Sequence, residues 1–105
     1  MHDLATVYAG RHARTIWCLQ EIAFCLEAYF GYTTEAAVQE VMESPRLQRV
    51  LAGEQERILW HLLPTEWATK IARDRDPHVT YLDEAAARQY QATRYRNTPP
   101  KPGGS

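Results

Sequence analysis

The sequence predicts an all-α protein, a compact bundle of four to six helices packed around one central apolar helix. Three observations lead there. The stretch Ile16–Phe30 is apolar almost all round a helix and is interrupted only by Gln20, Glu21 and Glu27, so other elements or a partner must cover most of its sides. Apolar residues elsewhere recur in steps of three and four. Between those runs stand the residues that start and stop helices: Gly31, Thr33, Thr34, Ser44-Pro45, Gly53 and Pro64.

The first helix carries two adjacent stripes, one of Ile16, Leu19, Ala23, Leu26 and Phe30 and one of Cys18, Ile22, Cys25 and Tyr29. Leu4, Val7 and Tyr8 extend it toward the N-terminus, with Gly10 as a weak join. Gly31 occupies the place of a C-cap glycine. Thr33 or Thr34 caps a second helix with Val38, Val41 and Met42 on one face. Ser44-Pro45 reads as an N-cap followed by proline at the first helical position. The short helix after it, Arg46–Ala52, buries Leu47, Val50 and Leu51, and Gly53 ends it. A fourth helix over Glu54–Leu63 shows Ile58, Leu59, Leu62 and Leu63. Pro64-Thr65 opens another turn, with Glu66 well placed for the helix dipole and Trp67 and Ile71 as its apolar edge.

Asp76-Pro77 breaks the pattern, and His78-Val79 reads as short and extended. Thr80-Tyr-Leu-Asp83 has the spacing of a capping box, so a last helix is expected to run to about Arg94. Its apolar positions are small or aromatic (Ala85, Ala86, Ala87, Tyr90, Ala92, Tyr95), so it is either a thin cover on the core or a surface that awaits a partner. Residues 1–97 form one helical domain in this reading. The tail Thr98–Ser105, TPPKPGGS, is expected to be disordered, because it has no apolar area to bury.

Composition narrows the function. The 105 residues carry a formal net charge of −1, which gives no global attraction to nucleic acid or to an anionic membrane. Ten arginines stand against two lysines; a GC-rich genome produces such a ratio, as does a need for planar, multi-donor contacts, and the lack of a basic run favours the first. Ile16–Phe30 is shorter than the roughly twenty apolar residues of a membrane span and holds two glutamates. The N-terminus lacks the pattern of a secretion signal, and the expected location is the cytoplasm. Cys18 and Cys25 lie two helical turns apart, about 10.5 Å in rise, too far for a disulfide within that helix. They are read as reduced core residues.

The search for chemistry returns mostly absences. Cys18, Cys25, His2, His12, His61 and His78 show no metal-ligand spacing, so neither a metal nor another cofactor is expected. No glycine-rich phosphate loop occurs. Ser44 is better explained as a cap than as a nucleophile, and neither cysteine has a sequence-local base. Arg73-Asp-Arg-Asp-Pro-His78 spaces an arginine and a histidine by four residues. It resembles the R-x(4–6)-H signature of HEPN ribonucleases, helical enzymes in which that pair acts on the scissile phosphate at a dimer interface. Here Pro77 interrupts the helix that would carry the motif, and Asp74 and Asp76 repel a phosphate. The chain is therefore read as non-enzymatic.

The leading expectation is a protein–protein interaction module, a small adaptor, regulator or inhibitor that binds a larger protein. Tryptophan, tyrosine and arginine are the residue types enriched in interface hot spots, and Trp60, Trp67, Arg57, Lys70, Arg73, Tyr81 and Tyr90 are the expected partner-binding residues. The thin apolar face of the last helix makes self-association a second way to cover it. The alternative is a nucleic-acid-binding regulator that uses Arg88, Arg94 and Arg96 for phosphates and Tyr90 and Tyr95 for stacking. Against it stand the small basic footprint and the lack of a helix-turn-helix pattern.

Overall fold

Side chains in steps of three and four gather on the inside of a helical globule. The computed structural model describes residues 4–53, 56–81 and 84–95. It contains α1 (Leu4–Val7), α2 (Ala13–Phe30), α3 (Thr34–Glu43), α4 (Pro45–Ala52), α5 (Glu56–His61), α6 (Pro64–Arg75) and α7 (Glu84–Tyr90), followed by a π-helical turn, Gln91–Tyr95. No strand occurs among the described residues. Among the described residues the count of α-helices is seven, one more than the expected upper limit, and five of them have seven or more residues.

The extra helix comes from Gly10. Leu4, Val7 and Tyr8 do not continue the central helix, because Gly10 adopts φ +97° and turns the chain. After this break α2 begins at Ala13, before the apolar run, with His12 as its cap: the imidazole Nδ1 accepts the Arg14 amide at 3.0 Å. The other punctuation works as the local rules dictate. Gly31 sits at φ +76°, and its amide and that of Tyr32 both close on the Leu26 carbonyl. Of the two candidate caps for α3, Thr33 is used, its hydroxyl accepting from the Ala36 amide at 3.1 Å. Ser44 caps α4, with Pro45 first in the helix.

α2 is the hub, packing on α6, α3, α5 and α1. Leu19, Ile22, Cys25 and Leu26 are fully buried in it, and each large aliphatic contributes about 1.5–3 kcal/mol. Glu21, expected in the polar stripe, is buried too, at 5% exposure. A carboxylate in such a place needs partners, and the Tyr90 hydroxyl supplies one by donating to Oε1 at 3.0 Å. That bond joins residues from opposite ends of the fold.

α6, which the sequence starts at Pro64-Thr65, is a full three-turn helix that runs to Arg75. It buries Pro64, Trp67, Ala68, Ile71 and Ala72 on one face. The alanines leave room for the backbone of α6 to approach its neighbour closely. α5 is shorter than expected and ends at His61; Glu54 and Gln55 lie outside the described residues. The break after α6 stands, although His78 lies in a turn whose amide is received by Asp76 Oδ1 at 3.0 Å, and is not extended. α7 begins at Glu84; Leu82 and Asp83 of the expected capping box, and the tail, lie outside the described residues.

Candidate functional site

The seven expected partner-binding residues separate into three places. Trp67 and Tyr90 are core residues, at 4% and 0% exposure, so the Tyr90 ring is closed to a partner and Trp67 presents no more than an edge. The Trp67 indole N–H donates to the Leu59 carbonyl at 2.9 Å, and Tyr90 is bound to Glu21. The charged neighbours Glu66, Lys70 and Arg73 belong to the opposite, solvent side of the same helix, which is why Trp67 looked like part of a mixed surface.

Trp60 is half-buried and joins α5 to the start of α2. Its indole N–H donates to the Thr15 hydroxyl at 3.0 Å, and its ring lies 4.9 Å from the His12 ring, tilted by 50°. Arg57, also on α5, is exposed.

Lys70, Arg73 and Tyr81 form the third group, on the outer side of α6 and the segment that leaves it. Tyr81 is 70% exposed. Its ring lies under the Arg73 guanidinium, 4.5 Å from centroid to Cζ, a cation–π contact. Arg73 Nη1 donates at the same time to the Val79 carbonyl. The arginine of the R-x(4–6)-H pair is thereby tied to the loop and to Tyr81, while His78 points its turn to solvent. Beside this pair an open hollow of about 290 Å³ separates α6 from α7, lined by Thr65, Glu66, Thr69, Lys70, Tyr81 and Ala87.

A second hollow, of about 590 Å³, lies on the other flank of α6 and reaches α3 and α4. Of its lining residues, only Trp67 was among the expected partner-binding residues. Arg46 forks onto Asp74, with Nε and Nη2 each 2.8 Å from a carboxylate oxygen. Arg75 Nη1 lies 2.7 Å from Glu40. Arg49, Val50 and the edge of Trp67 complete the wall. Arginine at 46 and 49, one turn apart on a short helix, is a further sequence signal for this site.

The hydrogen bond from Arg46 holds the Asp74 carboxyl below the usual carboxylate range. A lowered folded-state pKa means that the pair stabilises the fold above the unfolded carboxyl value, and that this contribution is lost as the pH falls through the folded value. Both side chains are partly exposed, so the contribution is about 0.5–1 kcal/mol. Asp74→Asn is expected to lower stability by that amount at neutral pH, and the difference from the natural protein is expected to vanish in strong acid. Urea unfolding across a pH series measures it; a difference that persists in acid refutes the role of the carboxylate charge.

Of the five residues of the nucleic-acid alternative, Tyr90 and Arg88 are the two whose side chains are described. Tyr90 is buried, Arg88 is ion-paired with Glu84 one turn earlier, and the Arg94 and Tyr95 side chains and all of Arg96 lie outside the described residues. Burial pushes the Cys18 thiol up to about 12, which keeps it protonated and unreactive at neutral pH. Cys18 and Cys25 are not joined in a disulfide. Among the described residues, no group of three His, Cys, Asp or Glu side chains is placed to hold a metal ion, and no helix is long and apolar enough to cross a membrane. The chain matches no protein-family model, no curated protein and no solved structure.

Proposed function

We propose that this chain is a non-enzymatic interaction module of the cytoplasm, an adaptor, regulator or inhibitor that docks on a larger protein through the outer side of α6. The observation that supports this most is the Arg73–Tyr81 pair. An aromatic ring at 70% exposure is normally free to rotate into water; this one is held under a guanidinium that is itself bonded to the backbone. Holding both side chains in advance reduces the ordering entropy that binding costs. Tyrosine and arginine are also residue types that concentrate binding energy. The hollow next to the ring has room for a side chain from the partner.

The test is capture of partners by the tagged full chain from lysate of its native host, with and without nuclease, read by mass spectrometry. A partner retained after nuclease treatment is expected. Tyr81→Ala is expected to weaken it by about 2 kcal/mol or more, the range of a hot spot, with thermal stability unchanged because the ring is on the surface. If Tyr81→Ala and Arg73→Ala both retain the partner at full strength, the docking face is elsewhere.

A further inference from the structure

We infer that the partner presents an acidic, carboxylate-rich segment, and that the arginine-lined cleft between α3, α4 and α6 receives it. This rests on the docking reading above and names the chemistry of what docks.

The cleft is built from charge. Arg46, Arg49 and Arg75 reach it from two helices, over an apolar floor of Val50 and the Trp67 edge. Its two acids, Glu40 and Asp74, are already engaged with Arg75 and Arg46. Those ion pairs fix the two guanidiniums in position. They do not use them up, since a guanidinium has five N–H donors: Arg46 commits Nε and Nη2 to Asp74, and Arg75 commits Nη1 to Glu40. The guanidinium of Arg49 has no ion-pair or hydrogen-bond partner among the described residues, and its charge reaches Asp74 only through space. Pre-positioned forks with spare donors are the groups that bind carboxylates in bidentate fashion.

The positive charge continues across α6. Lys70 also acts on Asp74, one turn away, and it lines the hollow beside Tyr81. Within the cleft three cations (Arg46, Arg49, Arg75) face two acids (Glu40, Asp74), so one positive charge, that of Arg49, is left uncompensated there, on a chain whose formal net charge is −1. An acidic segment with an apolar side chain matches both halves: carboxylates for the arginines and the apolar group for the Tyr81 hollow. A nucleic-acid backbone matches less well, because it has no apolar side chain for the hollow beside Tyr81, while Glu40 and Asp74 repel phosphate and carboxylate alike.

The experiment is an NMR titration of the full-length ¹⁵N-labelled chain with the peptide Glu-Glu-Phe-Glu-Glu-Phe-Glu-Glu-Glu, and in parallel with a single-stranded ten-nucleotide oligo-dT. Expected are peptide-induced shifts confined to α4, α6 and Tyr81, weakening with added salt. Arg49→Glu is expected to weaken peptide binding by about tenfold and Arg49→Gln by less; Arg49 is exposed, and melting curves of both variants report any loss of fold. No peptide shifts on α4 and α6, or tighter binding of oligo-dT to the same face, overturns the inference. The two proposals fail separately. If Tyr81→Ala loses the captured partner and Arg49→Glu keeps it, docking on α6 stands and the acidic segment falls; if both variants keep it, both fall.

Discussion

Tyr90→Ala is expected to destabilise the protein by about 3–5 kcal/mol, the cost of removing a fully buried aromatic ring. Against a total of roughly 5–15 kcal/mol for a domain, that is a large fraction. Tyr90 is the largest fully buried side chain and comes from a short helix with few other anchors. Its loss also strips a buried glutamate of a hydrogen bond. Tyr90→Phe separates the two effects. The ring stays, the hydroxyl goes, and the expected cost is about 1.5–3 kcal/mol for a bond to a charged group. Urea denaturation of both variants provides the measurement. If Tyr90→Phe is as stable as the natural protein, Glu21 is not supported by this bond.

Trp67→Ala is expected to cost a similar amount, about 3–5 kcal/mol, and to act on folding and not on recognition. The indole fills the inner face of α6, and its N–H holds the Leu59 carbonyl at the far end of α5. Trp67→Phe keeps most of the volume and leaves that carbonyl unpaired, at about 1–3 kcal/mol. Trp60→Ala provides the contrast: its ring is half-buried, so a smaller loss is expected. Equilibrium unfolding ranks the three. If Trp67→Ala leaves stability intact while abolishing partner capture, the ring must leave the core to bind, and the present account of α6 is overturned.

Much of the fold was legible because helix ends obey local rules. Gly31, Thr33, Ser44 and Pro45 each act within three or four residues of themselves, and each does what its chemistry requires. The central helix was legible from Ile16, Leu19, Ile22 and Leu26, whose spacing has no other economical explanation. What escaped notice depends on residues far apart in the chain. Glu21 looks like a solvent-facing residue until Tyr90, 69 positions later, is brought to it. The extent of α6 was not legible, because its inner face includes Ala68, Ala72 and Thr69, which carry a weak apolar signal; counted with Pro64, Trp67 and Ile71, they complete a stripe. His12 as a cap follows from no propensity rule.

The candidate site was half legible. Lys70, Arg73 and Tyr81 come together as their composition suggested, whereas Trp67 and Tyr90 do not join them. The arginine cleft was invisible, because Arg46 and Asp74 belong to different helices 28 positions apart. Long-range ion pairing of this kind leaves no mark in a one-dimensional pattern.

The kink at Gly10 gives the molecule a graded resistance to opening. A four-residue helix has no stability of its own, since the nucleating turn is unfavourable. α1 is held by the buried Leu4 side chain and by the neighbouring link from Arg11 to the Leu51 carbonyl. The N-terminal segment is therefore expected to open as a separate cooperative unit, hinged on the glycine, while α2 and its neighbours stay closed. Amide protons of Tyr8 and Arg11 would then exchange with solvent by this partial route, and those in the middle of α2 only when the whole protein unfolds.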